Sequence, residues 1–245
     1  MKAMLLAAGL DERMRPLNTH TPTSLLPLGG RTLLDHALER LRDAGVTTVV
    51  VNTHWQADRI AAHLAARGGE PRLVMRREST LLGTGGSIRA ALDVLGPEPF
   101  FVVNGDAFWL DGPVPTFTRI VAAWEEIGDM APADAVLLVH RGFQVHAETG
   151  QGDFALDPWG LVRRPKEREI VPYVYAGIQM IHPALLASAE LPEAPFDMNL
   201  AWDNAIAAGR VRAVVHDGLW FHLSTPPDLA EAEYNLHARA LGEAR

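Results

Sequence analysis

Short apolar runs alternate with amphipathic segments through the first 105 residues, and this alternation restricts the fold to a few classes. The runs predict strands at residues 2–7, 47–52, 72–75 and 100–104. The segments between them carry apolar residues at helical spacing and predict helices at residues 33–41, 56–67 and 87–95. Strands separated by helices in this way pair in parallel, with helices on both faces of the sheet. Ligands then bind at the carboxyl ends of the strands.

The second half of the chain has a more mixed pattern. It predicts strands at residues 134–140, 153–156, 161–164, 173–181, 211–216 and 219–223. It predicts helices at residues 114–127, 183–188, 198–208 and 226–240. Because no internal repeat or linker interrupts the 245 residues, we expect a single domain over residues 1–245.

The composition argues against several classes of protein. A net charge of −8 disfavours a nucleic-acid surface, which needs a basic stripe. The chain has no cysteine, so it has no disulfide, no thiolate nucleophile and no zinc–sulfur site. The sequence shows neither a signal-peptide pattern nor an apolar run of membrane-spanning length. We therefore expect a cytoplasmic protein with small-molecule substrates and no membrane partner, either a monomer or a homodimer.

The strand at residues 2–7 leads into a loop that carries Gly9, Arg13 and Arg15. Backbone N–H groups and arginines at the end of a buried strand are typical of a polyphosphate site. A glycine lets the backbone approach phosphates, and the planar guanidinium of Arg13 suits a phosphate group. A glycine after an apolar run is also common at a plain strand-to-turn transition. The spacing of the residues that follow, with prolines at positions 16, 22 and 27, favours the phosphate site.

The segment LAAGLDERMRPLNTHTPTSLLP, residues 6–27, resembles the signature of the sugar-nucleotide pyrophosphorylases, which couple an NTP to a sugar 1-phosphate. The resemblance implies a three-layer α/β fold of the nucleotide-diphospho-sugar transferase (GT-A-like) type, with a doubly wound, mostly parallel sheet. It implies a nucleotide-binding half at residues 1–110 and a sugar-phosphate-binding half at residues 111–245. In the implied reaction a sugar-phosphate oxygen attacks the α-phosphorus and pyrophosphate leaves, so positioning and charge neutralisation supply the catalysis. The residues implied to bind the triphosphate are Ala7, Ala8, Gly9 and Arg13.

Two positions depart from that signature. Asp11 stands at its second loop glycine, and Thr23 stands at its lysine. Losing a cationic contact to a transition state typically costs ~3 kcal/mol, so a protein that binds nucleotide or sugar nucleotide without turnover is an alternative hypothesis. An NAD-binding Rossmann enzyme is disfavoured, because the first turn lacks G-x-G-x-x-G and no acidic residue closes the second strand.

Two further segments are similar to the family on the nucleotide side. The sequence LGTGGS at residues 82–87 precedes a helix, and the resemblance implies that Gly85 and Gly86 pack on the base; small residues at a helix start also serve packing alone. The strand at residues 100–104 is followed by Asp106, and a carboxylate at the end of a parallel strand suits Mg²⁺. A turn or cap role for Asp106 is the other interpretation. The resemblance implies Mg²⁺ as cofactor with Asp106 as its ligand, Asn104 as a nucleotide-binding residue, and Arg13 and Asp106 as catalytic residues.

The sequence WFHLSTP at residues 220–226 resembles the family's W-x-D-V-G-T-P, whose aspartate is a metal ligand. His222 stands at that position, and imidazole is a poorer Mg²⁺ ligand than a carboxylate. His222 is therefore a candidate either for the metal or for a phosphate. Asp203 is a candidate replacement carboxylate, and an exposed charge on a helix is its alternative interpretation.

Four cations at residues 163–168 precede the strand at residues 173–181. The resemblance implies that this segment holds the sugar phosphate, with Lys166 or Arg164 facing inward; a solvated run of charges is the alternative. It also places Gly177, Asn199 and Asp203 near the sugar phosphate.

The other histidines show no spacing of a known metal site: His20, His36, His54, His63, His140 and His146. The resemblance is closest to the N-acetylmuramate-1-phosphate uridylyltransferases of bacterial cell-wall (peptidoglycan) recycling, which implies UTP as the NTP.

Overall fold

A seven-stranded sheet forms the centre of the molecule in the computed structural model, which describes residues 1–128, 133–145 and 150–240. The strands are β1 (Lys2–Leu6), β2 (Pro27–Leu28), β3 (Arg31–Thr32), β4 (Thr48–Thr53), β5 (Arg72–Arg77), β6 (Phe100–Asn104), β7 (Phe108–Leu110), β8 (Ala135–Arg141), β9 (Ala155–Leu156), β10 (Val162–Arg163), β11 (Tyr173–Ile181), β12 (Val211–Val215) and β13 (Leu219–Phe221). The α-helices are α1 (Leu33–Asp43), α2 (Ala57–Arg67), α3 (Gly83–Ala90), α4 (Leu92–Leu95), α5 (Thr116–Gly128), α6 (Met198–Ala207) and α7 (Pro226–Ala240). Across the central sheet the strand order is β12-β8-β11-β6-β1-β4-β5.

The directions of the strands confirm the mostly parallel sheet that the sequence predicts. β5, β4, β1 and β6 pair in parallel, and β12 is parallel to β8. β11 runs antiparallel to both of its neighbours, β6 and β8. Because β11 is reversed, its first half lies at the same sheet edge as the carboxyl ends of β1 and β6. Two halves of the chain that are far apart in sequence therefore contribute residues to one edge.

Helices cover both faces of the sheet. Side chains of a strand point alternately to opposite faces, and in β1 Ala3 and Leu5 pack in one core cluster while Met4 packs in another. The first cluster contains apolar residues of α1, α2 and α5. The second contains apolar residues of α3, α4 and α6. This arrangement confirms the three-layer fold.

The helix α7 supports the segment that follows β1. Its residues Leu229 and Ala232 share a buried cluster with Met14 and Leu28. The Glu233 carboxylate on α7 also accepts the Gly29 N–H at 2.7 Å. The predicted phosphate loop therefore rests on a helix that is more than 200 residues away along the chain.

The start of α3 differs from its prediction. The apolar periodicity places a helix at residues 87–95, after the glycines, whereas α3 begins at Gly83 and the helical path is interrupted between Ala90 and α4. The Phe196 carbonyl accepts the N–H groups of Gly85 and Gly86 at 3.1 and 3.2 Å. These two N–H groups belong to the first helical turn, whose N–H groups have no acceptor within their own helix. A tertiary contact therefore supports a helix start that glycine-rich sequence alone disfavours.

Two-stranded pairs outside the central sheet were only partly predicted. The hairpin of β9 and β10 matches the strands predicted at residues 153–156 and 161–164. The sequence did not predict β2, β3 or β7, and it predicted β13 without a partner strand. Runs of two or three residues carry no periodicity to detect. Among the helices described, none has the length and apolarity needed to cross a lipid bilayer.

Two buried histidines, His140 and His216, lead us to expect a loss of stability at acidic pH. Their ring centroids are 6.0 Å apart, and burial is the main cause that lowers the pKa of each below the ordinary value of 6.5. Since the unfolded chain then binds more protons than the folded one, the stabilisation is complete above about pH 6.5 and is lost as the pH falls toward the folded-state pKa. The slope reaches at most about 1.4 kcal/mol per pH unit for each histidine.

Urea unfolding between pH 8 and pH 5 measures this slope. We expect His140→Gln to flatten it and His237→Gln, at an exposed position on α7, to leave it unchanged. A wild-type slope that neither His140→Gln nor His216→Gln alters would contradict the assignment.

Candidate active site

A cavity of about 330 Å³ lies at the carboxyl edge of the sheet, beyond β1, β4, β5 and β6. This is where parallel sheets bind ligands. Five residues predicted from the sequence to bind nucleotide or metal line it: Ala7, Ala8, Gly9, Asn104 and Asp106. Both positions that depart from the signature, Asp11 and Thr23, also line it. The structure therefore brings part of the predicted triphosphate site and the predicted metal ligand Asp106 to one cavity, whereas Arg13 and His222 are not among the described residues that line it.

Asp11 and Arg13 interact with each other in the loop after β1. The Asp11 carboxylate accepts the Arg13 N–H at 3.3 Å and lies 3.5 Å from the Arg13 Nε. The Arg13 side chain is 67% exposed, and that of Asp11 is 17% exposed. Asp11 thus takes the N–H and part of the positive charge that the sequence analysis assigned to a phosphate.

Asp106 faces the same cavity as Asp11. Burial raises the pKa of the Asp106 carboxyl above 3.8, the charge of Asp11 raises it further, and Arg13 opposes the shift. Of the described residues that line the cavity, four are carboxylates (Asp11, Glu78, Asp106 and Asp197) and none is a lysine, arginine or histidine. A cavity with such walls can hold a polyphosphate only together with cations.

The donor set around Asp106 fits Mg²⁺. Mg²⁺ is usually held by one or two carboxylates, with substrate phosphates and waters as its other ligands. No group of three or more His, Cys, Asp or Glu side chains that could hold a metal occurs in the part of the chain that the structure describes. A single carboxylate such as that of Asp106 suits this mode of Mg²⁺ binding.

Thr23 and Ser24 form the wall where the family signature has its lysine. Thr23 is buried, and its Oγ1 accepts the Asn18 Nδ2–H at 3.1 Å. The buried Ser24 Oγ has no hydrogen-bond partner within the described residues. This wall offers hydroxyl groups in place of a cation.

Gly85 and Gly86 pack against Phe196. A Cβ on Gly85 would lie 2.3 Å from the Phe196 ring, so this contact requires the absence of a side chain. The residues of α3 that line the cavity are Gly83, Thr84 and Ser87. Packing against the ring accounts for Gly85, whereas a Cβ on Gly86 would lie 3.7 Å from the ring; the contact of both glycines with a base stays a prediction.

Glu78 and Asn52 are cavity residues that the sequence analysis missed. Glu78 accepts hydrogen bonds from Asn52 Nδ2 at 2.8 Å, Ser87 Oγ at 2.6 Å and Leu82 N at 3.2 Å. The Asn52 Oδ1 accepts the Ala7 N–H at 2.8 Å. The available signal was a carboxylate at the end of the third parallel strand. It was overlooked because that strand was predicted to end at residue 75, whereas β5 runs through Arg77.

His222 lies close to the loop after β1. One of its ring nitrogens is 2.6 Å from Ser224 Oγ, and burial lowers its pKa below 6.5, with smaller effects from the charges of Asp228 and Arg13. The structure thus favours a neutral imidazole with one nitrogen engaged. Its role as metal ligand stays a prediction.

The residues predicted for the sugar phosphate divide into two groups. Arg164 donates from Nε to Asp203 Oδ1 at 2.7 Å and from Nη2 to Asn199 Oδ1 at 2.6 Å. Its guanidinium also lies 4.7 Å from the centre of the Phe154 ring. Lys166 is exposed. Of the two alternatives, Arg164 is therefore the one held in a defined position.

Gly177 contacts the turn that carries Asp106. It has a φ of +79°, and a Cβ there would lie 3.0 Å from Ala107 Cβ and 3.3 Å from Asn104 Cβ. Asp203, bound to Arg164, is not among the described residues that line the cavity with Asp106. His146 lies outside the described residues.

The comparison with known families decides the class of the protein. The model of the MobA-like NTP transferase domain matches residues 3–213. The chain belongs to this family. It is an enzyme of the nucleotidyltransferase class, which confirms the prediction from the loop after β1.

Individual relatives match over nearly the whole chain. The N-acetylmuramate alpha-1-phosphate uridylyltransferase of Caulobacter vibrioides is 39% identical over 238 residues, covering 96% of this chain and 96% of that protein. The enzyme of the same name from Neisseria meningitidis is 32% identical over 235 residues, covering 95% and 97%. The crystal structure of HddC from Yersinia pseudotuberculosis complexed with GMP-PN has a TM-score of 0.72 at 19% identity, covering 96% and 99%. This last likeness confirms the fold alone.

Proposed function

We propose that the protein transfers a uridylyl group from UTP to N-acetylmuramate α-1-phosphate and releases pyrophosphate. The observation that carries this proposal is the full-length similarity to two relatives named for that activity, at 39% and 32% identity. The cavity at the carboxyl edge of the sheet supports it, because residues predicted to bind the nucleotide and the metal line it together. We place the reaction in the cytoplasm, as a step of cell-wall recycling.

In this proposal the nucleotide occupies the cavity. The base lies against the start of α3, and the triphosphate lies along the loop from Ala7 to Arg13, where backbone N–H groups and a guanidinium bind its oxygens. Arg13 leaves Asp11 to bind the phosphate. Asp106 holds Mg²⁺, which when bound neutralises the negative charge of the phosphates.

The sugar phosphate is bound on the side of β11. Arg164 is oriented by Asn199 and Asp203 and supplies the cation for the phosphate of the acceptor. Gly177 forms the adjacent wall of the sugar-phosphate site, because a side chain at this position would have no room next to Asn104. These residues bring the attacking oxygen in line with the α-phosphorus, and positioning supplies much of the catalysis.

A screen for pyrophosphate release tests the proposal. UTP, GTP, ATP, CTP and dTTP are each combined with N-acetylmuramate, N-acetylglucosamine, glucose and mannose 1-phosphates, with and without Mg²⁺. We expect the highest kcat/KM for UTP with N-acetylmuramate 1-phosphate, and release only when Mg²⁺ is present.

The other outcomes are separable. A higher kcat/KM for another pair would replace the proposed substrates. Thermal stabilisation by UTP without pyrophosphate release from any pair would support nucleotide binding without turnover, the alternative that Asp11 and Thr23 suggest.

A further inference from the structure

Three buried polar side chains form a hydrogen-bonded chain beside the cavity. Asn52, Glu78 and Ser87 are 3%, 8% and 5% exposed. They lie in β4, directly after β5, and in α3. Through Asn52 the chain reaches the Ala7 N–H, and through Glu78 it reaches the Leu82 N–H. It therefore joins the loop proposed to bind phosphates to the helix start proposed to face the base.

The two ends of this chain fix the direction of every hydrogen bond in it. A backbone N–H can only donate, so Asn52 presents its Oδ1 to Ala7 and its Nδ2 to Glu78. Glu78 receives Asn52 Nδ2 and Ser87 Oγ on one oxygen and the Leu82 N–H on the other. Only a side chain that accepts on both of its terminal atoms satisfies this set of donors.

We infer that Glu78 is a positioning residue for nucleotide binding, acting through Asn52 on the loop that begins at Ala7. This inference rests on the proposed function for its nucleotide. The carboxylate keeps the Asn52 amide oriented with its oxygen toward Ala7, which sets the first peptide of the phosphate loop. The same carboxylate holds Leu82 and Ser87, so the two ends of the nucleotide site share one acceptor.

Replacing Glu78 with glutamine turns one of its two accepting oxygens into an N–H donor. If the new amide nitrogen faces Leu82, it meets the Leu82 N–H, and both groups are donors. If it faces Asn52, then Asn52 must turn over and present Nδ2 to the Ala7 N–H, so two donors meet in the loop instead. Ser87 alone can adapt, because a hydroxyl both donates and accepts. A buried donor without an acceptor is costly, and we expect the KM for UTP to rise roughly 10- to 100-fold with a smaller change in kcat.

The double variant Asn52→Asp/Glu78→Gln restores the pairing with the roles exchanged. The new aspartate accepts the Ala7 N–H on one oxygen and the new glutamine N–H on the other. The oxygen of the glutamine accepts the Leu82 N–H, and Ser87 accepts the remaining amide hydrogen. Asn52→Asp alone sets two carboxylates in contact and is expected to be the worst of the three variants.

The experiment measures the KM and kcat for UTP at saturating sugar 1-phosphate, the Kd of UTP by calorimetry, and hydrogen exchange of residues 1–14 without ligand. We expect E78Q to weaken UTP binding and to speed exchange at Ala7, and the double variant to recover most of both. Glu126→Gln, at an exposed position on α5, is the matched control and should resemble the wild type in all readouts.

Two results would overturn the inference. One is wild-type UTP affinity and wild-type exchange at Ala7 in folded E78Q. The other is a double variant that stays folded but recovers neither UTP affinity nor slow exchange at Ala7. In that case, a changed ranking of the five NTPs in E78Q would identify Glu78 as a base contact instead. Hydrogen exchange needs no nucleotide, so it tests the coupling even if the screen finds no turnover and the proposed function fails.

Discussion

Asp106→Asn is expected to lower kcat/KM about 10³-fold, which corresponds to about 4 kcal/mol of transition-state stabilisation. The reason is the position of its carboxylate in a cavity whose described lining has no basic side chain. Without that charge the phosphates lose the proposed ligand of their counter-ion. The measurement is pyrophosphate release as a function of Mg²⁺ concentration.

The free energy of unfolding of Asp106→Asn distinguishes a functional role of Asp106 from a structural one. Since burial raises the pKa of the Asp106 carboxyl, its charged form is disfavoured in the folded protein. The neutral amide should therefore leave the free energy of unfolding unchanged or raise it. Asp58→Asn, on a side chain that is 84% exposed, is the control. Turnover of Asp106→Asn within tenfold of the wild type would exclude Asp106 as the metal-binding residue.

Gly83→Ala is expected to destabilise the fold strongly, because the backbone at this position has no room for a side chain. Gly83 has a φ of +72°, and a Cβ there would lie 2.3 Å from the Phe196 carbonyl oxygen. Backbone strain and overlap with a backbone atom together cost about 3 kcal/mol or more, which lowers Tm by roughly 6–12 °C in a chain of this length. A thermal unfolding scan measures the shift.

Gly9→Ala provides the matched comparison. A Cβ on Gly9 would meet no atom within 4 Å, and its φ lies outside the left-handed region. Its Tm should therefore stay within about 2 °C of the wild type, while nucleotide affinity reports on the phosphate loop. Equal Tm values for the two alanine variants would show that the contact between Gly83 and Phe196 is not a rigid one.

The sequence predicts well those features that one segment carries by itself. The apolar runs predicted β1, β4, β6 and β11, and their alternation with helices predicted the parallel half of the sheet. Asp106 was placed at the cavity because the end of a strand fixes the position of the next residues. The chemistry of these positions, including the roles of Arg13 and Asp106, stays a prediction.

Features that depend on distant pairing were not accessible in the same way. The hydrogen bond between Arg164 and Asp203 joins residues 39 positions apart. Nothing in the local sequence around either residue indicates its partner. Glu78 reaches the cavity only because β5 extends two residues beyond its apolar run. The early start of α3 depends on the Phe196 carbonyl, more than 100 residues later. Local periodicity contains none of this information.

The dependence of the phosphate loop on α7 has a consequence for synthesis of the protein. Met14 lies in a buried cluster that is completed by a helix starting at Pro226, so the loop lacks this part of its support while the intervening residues are still being made. At about 5–20 residues per second, a ribosome needs roughly 10–40 s to cover that distance. A nascent chain should therefore emerge with its central strands able to pair long before it can take up a nucleotide.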